Sequence, residues 1–266
     1  MKVAEAIRRS GIEPREARLL LAAATGLSQA SLVARPEREL APPVERAFFE
    51  LSARRARGEP VAYLLGRREF YDIELQVNPA VLVPRPETEL LVDLALERIP
   101  RGASAAVLDL GTGSGAVALA VKRHRPRARV VAVDASEAAL AVARANAARL
   151  GLELEFRCGY WFEPVAGDRF DVVLANPPYV AEGDPHLAEL RYEPRAALLA
   201  GADGLEAIRE ITQAAGSFLL PGGWCLLEHG AGQGEAVRGL LSRAGLRRIA
   251  TWPDLAGIGR VSGGTR

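Results

Sequence analysis

The chain has 266 residues, long for one ordinary domain and short for two large ones, so a main domain with a small companion fits its length. Apolar residues make up 49% and charged residues 25%, the mix of a soluble globular protein. With 34 basic against 33 acidic side chains the net charge is +1, which gives no global electrostatic case for binding nucleic acid.

No apolar run reaches the roughly 18 residues of a membrane span, and the start, Met1-Lys2-Val3-Ala4-Glu5, has no apolar signal core. A cytoplasmic protein is therefore expected. The only cysteines are Cys158 and Cys225. A disulfide between them stays open, but they make no secreted framework and no zinc spacing, so no metal is expected.

Residues 1 to about 58 read as helices. Val3, Ala4 and Ile7, then Ala17 and Leu19 to Leu21, recur at helical spacing, and Pro42-Pro43 opens a further helix through Leu51. The cluster Arg54, Arg55, Arg57, Arg67 and Arg68 is either a solvated face or a docking surface for an acidic or RNA-like partner. Over 59–83, Tyr63, Phe70, Ile73, Leu75 and Val77 suggest a β-hairpin around Tyr71-Asp72, a connector to the main domain. Pro84-Arg85-Pro86 leads into a helix from about Thr88 to Arg98.

From residue 84 to the end the chain reads as one domain, and from about 104 strands and helices alternate. Strands are expected at 105–110, 129–134, 152–157, 170–175, 224–228, 246–251 and 260–262. Helices fall between most of them, at about 115–124, 138–150, 204–220 and 235–244, with Ser136 as a cap, Gly151 as a stop and Pro221-Gly222-Gly223 as a turn. Short apolar strands alternating with helices imply an α/β fold, a mostly parallel sheet covered on both faces.

The first of these strands ends in Asp109-Leu110-Gly111-Thr112-Gly113-Ser114-Gly115, and the second ends at Asp134. Glycines at a strand's carboxyl end let the backbone approach a ligand, and an acid at the end of the next strand can accept from ribose hydroxyls. Gly111, Gly113 and Ala116 also fit the dinucleotide pattern, so the glycines alone leave two cofactors open. Asp109 favours one of them. A carboxylate there would repel a pyrophosphate and attract the ammonium of S-adenosylmethionine (AdoMet).

The strand at 170–175 ends in Asn176-Pro177-Pro178-Tyr179. Two prolines supply no backbone donors and stiffen the loop. What remains is the Asn176 side-chain carbonyl and backbone carbonyls, acceptors suited to an NH2 group that offers two hydrogens in a plane. Tyr179 can lay an aromatic face against a planar group. An amide nitrogen is a weak nucleophile, and holding both its hydrogens would orient its lone pair for attack on a sulfonium methyl.

Asp109–Gly115, Asp134 and Asn176–Tyr179 together resemble the amino-methyltransferases. Further stretches narrow the resemblance: Val83-Pro84-Arg85-Pro86-Glu87-Thr88-Glu89, Trp161-Phe162, Arg191-Tyr192-Glu193-Pro194, Leu226-Leu227-Glu228-His229-Gly230 with Gln233-Gly234, and Asp254-Leu255-Ala256-Gly257 with Arg260. As a set, over essentially the whole chain, they are similar to the peptide chain release factor glutamine methyltransferases, the PrmC or HemK family. The resemblance implies a Rossmann-like seven-stranded AdoMet-dependent methyltransferase domain, a small N-terminal helical domain that docks the release factor, and a β-hairpin linker. It implies methylation of the side-chain amide of the glutamine in the Gly-Gly-Gln motif of class 1 release factors, with S-adenosylhomocysteine as product. By position, Asp109, Gly111 to Gly115, Asp134 and Asn176 would hold AdoMet and Trp161 would border its adenine. Asn176 and Pro177 would be catalytic, with Asn176–Tyr179 around the glutamine. Arg85 and Glu87 either brace one another or enter the site.

One position departs from the resemblance: the family usually places an acid just before Trp161, and this chain has Tyr160. Methylation of a ribosomal-protein glutamine, and adenine-N6 methylation of nucleic acid, are the alternative activities. The second lacks a target-recognition domain with room for a flipped base. A non-catalytic binder would have no use for Asn-Pro-Pro-Tyr. Neither membrane nor direct nucleic-acid partners are expected, and nothing calls for a dimer, so a monomer is expected.

Overall fold

The computed structural model describes residues 1–266, which divide into two compact units, Met1–Arg67 and Arg68–Arg266. The first unit is helical: α1 (Val3–Arg9), α2 (Pro14–Thr25), α3 (Gln29–Ala34), α4 (Pro42–Ala56) and α5 (Val61–Leu65). Its punctuation is chemical. Pro14 and Pro42 sit where the first turn needs no donor, the Glu13 carboxylate and Ser28 hydroxyl accept the orphan amides of Glu16 and Ser31, and α2 stops at Gly26 with φ +70°. Leu20, Leu21, Leu32 and Phe48 form its buried centre. Val61, Leu64 and Leu65 pack on that centre as α5, where the sequence reading placed the start of the connector. Of the arginine cluster, Arg54 pairs with Glu59 and Arg55 with Glu16.

A hairpin of β1 (Arg67–Phe70) and β2 (Ile73–Gln76) spans the boundary and opens the second unit. There follow α6 (Glu89–Arg98), β3 (Ala106–Leu110), α7 (Ala116–His124), β4 (Arg129–Asp134), α8 (Glu137–Leu150), β5 (Glu155–Cys158) and β6 (Phe170–Ala175). The chain ends with α9 (Glu206–Phe218), β7 (Leu219–Glu228), α10 (Gly234–Arg243), β8 (Arg247–Pro253) and β9 (Gly259–Thr265). The seven strands from β3 onward form one sheet in the order β5-β4-β3-β6-β7-β9-β8, parallel except for β9, which runs against both its neighbours. No helix is long and apolar enough to cross a membrane.

Alternation along the central strands splits the core into two layers. Val107, Val130 and Ala132 face the layer that contains Leu91 of α6 and Leu119 of α7. Leu108, Leu110, Val131 and Val133 face the layer that contains Ile208 and Ile211 of α9 and Leu241 of α10. Burying each such side chain contributes roughly 1.5–3 kcal/mol, which is why near-continuous apolar strands end up doubly covered.

One sequence expectation is corrected and one open alternative is closed. The turn Pro221-Gly222-Gly223 does not precede the fifth strand of the sheet but lies within it: β7 starts at Leu219, pairs with Phe170, and resumes at Trp224 opposite Val172 across a shift of register. Proline is tolerated there because the ladder is already interrupted. The cysteines are both free, since Cys225 is buried in β7 and Cys158 is exposed at the end of β5, with β4, β3 and β6 between those strands.

Asn146 of α8, fully buried, ties the hairpin to the sheet. Its Oδ1 accepts from the Gln76 amide at 2.6 Å, and its Nδ2 donates to the Gln76 carbonyl at 3.0 Å and the Ser114 carbonyl at 2.9 Å. Asn146→Ala strands one buried donor and two acceptors, so it should lower unfolding stability by about 3 kcal/mol, read from denaturant midpoints. A loss under about 0.5 kcal/mol would contradict the clamp.

Candidate active site

The sheet's order reverses at β3. The chain runs outward through β4 and β5, then returns to lay β6 on the other side of β3. A crevice opens at such a switch point beyond the strands' carboxyl ends. A cleft of about 620 Å³ lies here, a size ordinary for a small-molecule site.

One wall is the loop after β3. The Thr112 amide donates to the Val133 carbonyl at 2.9 Å, and the Gly113 amide donates to Asp134 Oδ2 at 2.8 Å. The Ser136 amide donates to Asp134 Oδ1 at 2.9 Å. Both oxygens of Asp134 are thus fixed while each keeps a lone pair. Gly115 enters α7 with φ +83°, and a Cβ there would stand 2.9 Å from Leu119 Cδ1 and 3.3 Å from Ala143 Cβ, so both conformation and space require glycine. Asp109 is only 2% exposed, accepts from Thr112 Oγ1 at 2.6 Å, and borders the cleft. Burial pushes its pKa up to about 7, against the smaller opposing effect of the Thr112 hydroxyl.

A second wall follows β5. Trp161 holds a left-handed backbone, φ +43°, that a tryptophan adopts only when its surroundings fix it. Its Nε1 donates to Glu210 Oε2 of α9 at 2.8 Å, and its ring approaches Gly111, where a Cβ would lie 3.5 Å from Cζ3. Tyr160 is 52% exposed at the rim, and Glu206 and Glu210 of α9 share its part of the lining.

The third wall is the loop after β6. Asn176 and Pro178 line the cleft; Pro177 is buried and, like Tyr179, is not among the lining residues. Asn176 Nδ2 donates to Thr88 Oγ1 at 3.1 Å, which leaves Oδ1 as the atom available to accept. The Tyr179 hydroxyl donates to Glu228 Oε1 at 3.3 Å, and its carbonyl accepts from Gln233 Nε2 at 3.2 Å. Gly204 passes so close to that carbonyl that a Cβ would lie 2.3 Å away. The segment 194–200 completes the lining, held by the pairing of Val180 with Leu199. Arg85 forms an ion pair with Glu193, whose other oxygen accepts from the Val83 amide at 2.9 Å. Arg85 thus ties that segment down. Neither Arg85 nor Glu87 lines the cleft, and Glu87 acts on Glu228 only through its charge.

Of the sequence candidates, the fold gathers Asp109, Gly111 to Ser114, Asp134, Trp161, Asn176 and Pro178 around one cavity, with Gly115 behind it as the start of α7. Sequence reasoning assigned no individual role to Thr88, Glu193, Glu206, Glu210 or Glu228. Thr88, Glu193 and Glu228 lie inside the stretches that carried the family resemblance, but nothing local marked their contacts.

A strand-end glycine loop, an acid on the adjoining strand and an Asn-Pro-Pro-Tyr loop facing one cleft define a methyltransferase. The "Methyltransferase small domain" family model matches residues 87–191, and the "PrmC N-terminal domain" model matches residues 2–66. Among solved structures, a methyltransferase from Pyrococcus furiosus aligns with TM-score 0.57 at 19% identity, over 80% of this chain and 98% of its own. The Thermus thermophilus 16S rRNA N2 G1207 methyltransferase, solved with AdoMet and guanosine, aligns with TM-score 0.57 at 22% identity, over 75% of this chain and 49% of its own. A release factor glutamine methyltransferase from Burkholderia pseudomallei is 50% identical over 98% of this chain and 95% of its own length. The chain belongs to the release factor glutamine methyltransferase family.

Burial also pushes the Glu228 pKa up to about 7. A carboxyl whose pKa is raised by folding holds its proton more tightly in the native state, so its contribution is full below the unfolded value, near 4, and is lost as pH rises through 7. The exposed, paired carboxylates Glu155 and Asp203 have pKa values lowered by their arginine partners and are already ionised above pH 5. His229, whose pKa is lowered by burial, works in the opposite sense. The ligand-free protein should therefore lose on the order of a few kcal/mol between pH 6 and 8, measured by urea unfolding, and Asp109→Asn should flatten that slope. A stability that rises over this interval would contradict the buried acids.

Proposed function

We propose that this protein transfers a methyl group from AdoMet to the side-chain amide nitrogen of the glutamine in the Gly-Gly-Gln motif of class 1 release factors. The observation that carries the reading is the Asn176 carboxamide. Its Nδ2 donates to Thr88, and it lines the same cleft as the glycine loop. An oxygen so fixed suits a substrate that brings N–H donors, and family membership supplies the protein substrate.

The residues present fit AdoMet. Asp134, with lone pairs spare on both oxygens, would accept from the ribose hydroxyls. Asp109 would take the ammonium, which favours its ionised form and offsets the burial that raises its pKa. Gly111 leaves the approach open beneath Trp161, whose indole would border the adenine. When bound, AdoMet supplies an electrophilic methyl on a sulfonium.

The chain's own residues do the rest. Asn176 Oδ1, on the cleft, accepts a hydrogen bond from one amide N–H of the glutamine, and the backbone carbonyl of Pro177, a residue buried behind the lining, is assigned the other. Holding both in fixed directions turns the nitrogen lone pair toward the methyl and disfavours the planar, unreactive amide. Orientation of this kind can lower a barrier by several kcal/mol. Pro177 and Pro178 keep the loop from relaxing around the substrate. Arg85, through Glu193, holds the segment opposite, and Glu87 adds charge rather than contact. The helical unit docks the release factor, and the enzyme acts as a cytoplasmic monomer.

Incubation with labelled AdoMet and a class 1 release factor should add one methyl to the Gly-Gly-Gln glutamine, located by peptide mass spectrometry. Asn176→Ala should lower kcat at least ~100-fold while AdoMet still binds by calorimetry. Label confined to DNA or to a ribosomal protein, or a fully active Asn176→Ala, would overturn the reading.

A further inference from the structure

We propose that Glu228 is a positioning residue for the acceptor amide, acting through Thr88 and Tyr179 to hold the Asn176 carboxamide with its oxygen toward the substrate. The inference deepens the function proposed above and rests on it for the identity of the acceptor.

Glu228 ends β7, the strand beside β6 whose carboxyl end carries Asn176. It is 1% exposed and does not line the cleft. One oxygen accepts from the Tyr179 hydroxyl, and the other, Oε2, is buried with no hydrogen-bond partner. A buried carboxylate oxygen left unpaired is costly, and such an exception calls for an explanation. The neighbour able to satisfy it is Thr88. Its hydroxyl oxygen already accepts from Asn176 Nδ2, so its own hydrogen is free, and it stands close enough to Glu228 to favour the charged carboxylate.

With Glu228 ionised, the chain of donors has one direction. Asn176 Nδ2–H donates to Thr88, the Thr88 O–H donates to Glu228, and the Tyr179 O–H donates to Glu228 from the other side. Asn176 then has its oxygen left over for the substrate. Protonation reverses the links: a neutral carboxyl can donate to Thr88 Oγ1, the Thr88 hydrogen loses its acceptor and can turn to the Asn176 oxygen, and the carboxamide is no longer held with that oxygen toward the cleft.

The charged groups around Glu228 are Glu87 of the Pro86–Thr88 turn, which opposes ionisation, and Arg260 of β9, which favours it. Arg85 acts on the Tyr179 hydroxyl. His229, next along the chain, bonds to the Gly230 carbonyl and to Ser262 Oγ and is held neutral by burial. Burial of Glu228 itself outweighs Arg260, so its titration falls within the range where the enzyme can be assayed.

The test measures kcat against pH at saturating AdoMet, where a bound ammonium keeps Asp109 ionised. The wild type should lose activity as pH falls from 8 to 6. Glu228→Gln should bind AdoMet within about 2-fold of the wild type, lower kcat ~10–100-fold and abolish that acid limb. Thr88→Ser should keep both rate and limb, and Thr88→Val should behave as Glu228→Gln does. Wild-type kcat in Glu228→Gln, an acid limb that survives in it, or equal rates in Thr88→Ser and Thr88→Val would each overturn the proposal. The threonine pair decides the matter if Glu228→Gln fails to fold. A second readout is independent of the acceptor: the Asn176 side-chain NH2 resonances in the protein bound to S-adenosylhomocysteine should titrate with the same midpoint. Flat resonances in the wild type overturn the proposal. Titrating resonances in an enzyme that leaves release factors unmethylated would instead overturn the substrate assignment alone.

Discussion

The reversal of strand order at β3 is the constraint on which everything else depends. Because β4 and β6 flank β3, the loops after β3 and β6 leave the sheet side by side, with the carboxyl end of β4 adjoining. The glycine loop, proposed to hold the methyl donor, and Asn176, proposed to hold the acceptor, are therefore neighbours by topology alone. No flexible segment has to bring them together, and the prolines after Asn176 ensure that the acceptor side does not drift. Packing enforces the arrangement from both faces, since the apolar residues that alternate along β3, β4 and β6 are covered by helices on each side.

That rigidity has an electrostatic cost, concentrated in two acids. Asp109 and Glu228 are both nearly inaccessible, and both have pKa values raised by burial. Structural economy would have replaced them with apolar residues, because a buried carboxyl without a full set of partners destabilises the fold. Their positions differ in a way that matches two tasks. Asp109 borders the cleft on the glycine-loop side, where a cation can restore its charge. Glu228 lies behind the Asn-Pro-Pro-Tyr loop, where it can only act through hydroxyl groups. Such retained strain is the usual mark of function in an otherwise consistent fold.

Much of this was legible in the sequence because it is local. Alternation and capping residues gave the strands and helices of the second unit, and the glycine loop, Asp134 and Asn176–Tyr179 announced themselves by spacing. What stayed hidden is contact between distant segments. Nothing near Thr88 says that its hydroxyl meets Asn176, and nothing near Trp161 says that its indole bonds to Glu210. Arg85 and Glu87, two positions apart in sequence and plausible as mutual braces, separate in space: Arg85 turns to Glu193 and Glu87 lies near Glu228. The proline-glycine turn was readable as a turn but not as a bulge inside β7, because that depends on how Phe170 and Val172 pair across it.

The proposed methyl transfer turns on Asn176 presenting an acceptor, not a donor, to a planar NH2 group. The most direct measurement is a crystal structure of the protein with S-adenosylhomocysteine and a Gly-Gly-Gln peptide. The glutamine nitrogen should lie within hydrogen-bond distance of both Asn176 Oδ1 and the Pro177 carbonyl, with its free side toward the sulfur. A glutamine bound instead through its oxygen to Asn176 Nδ2, with the Thr88 contact broken, would contradict it.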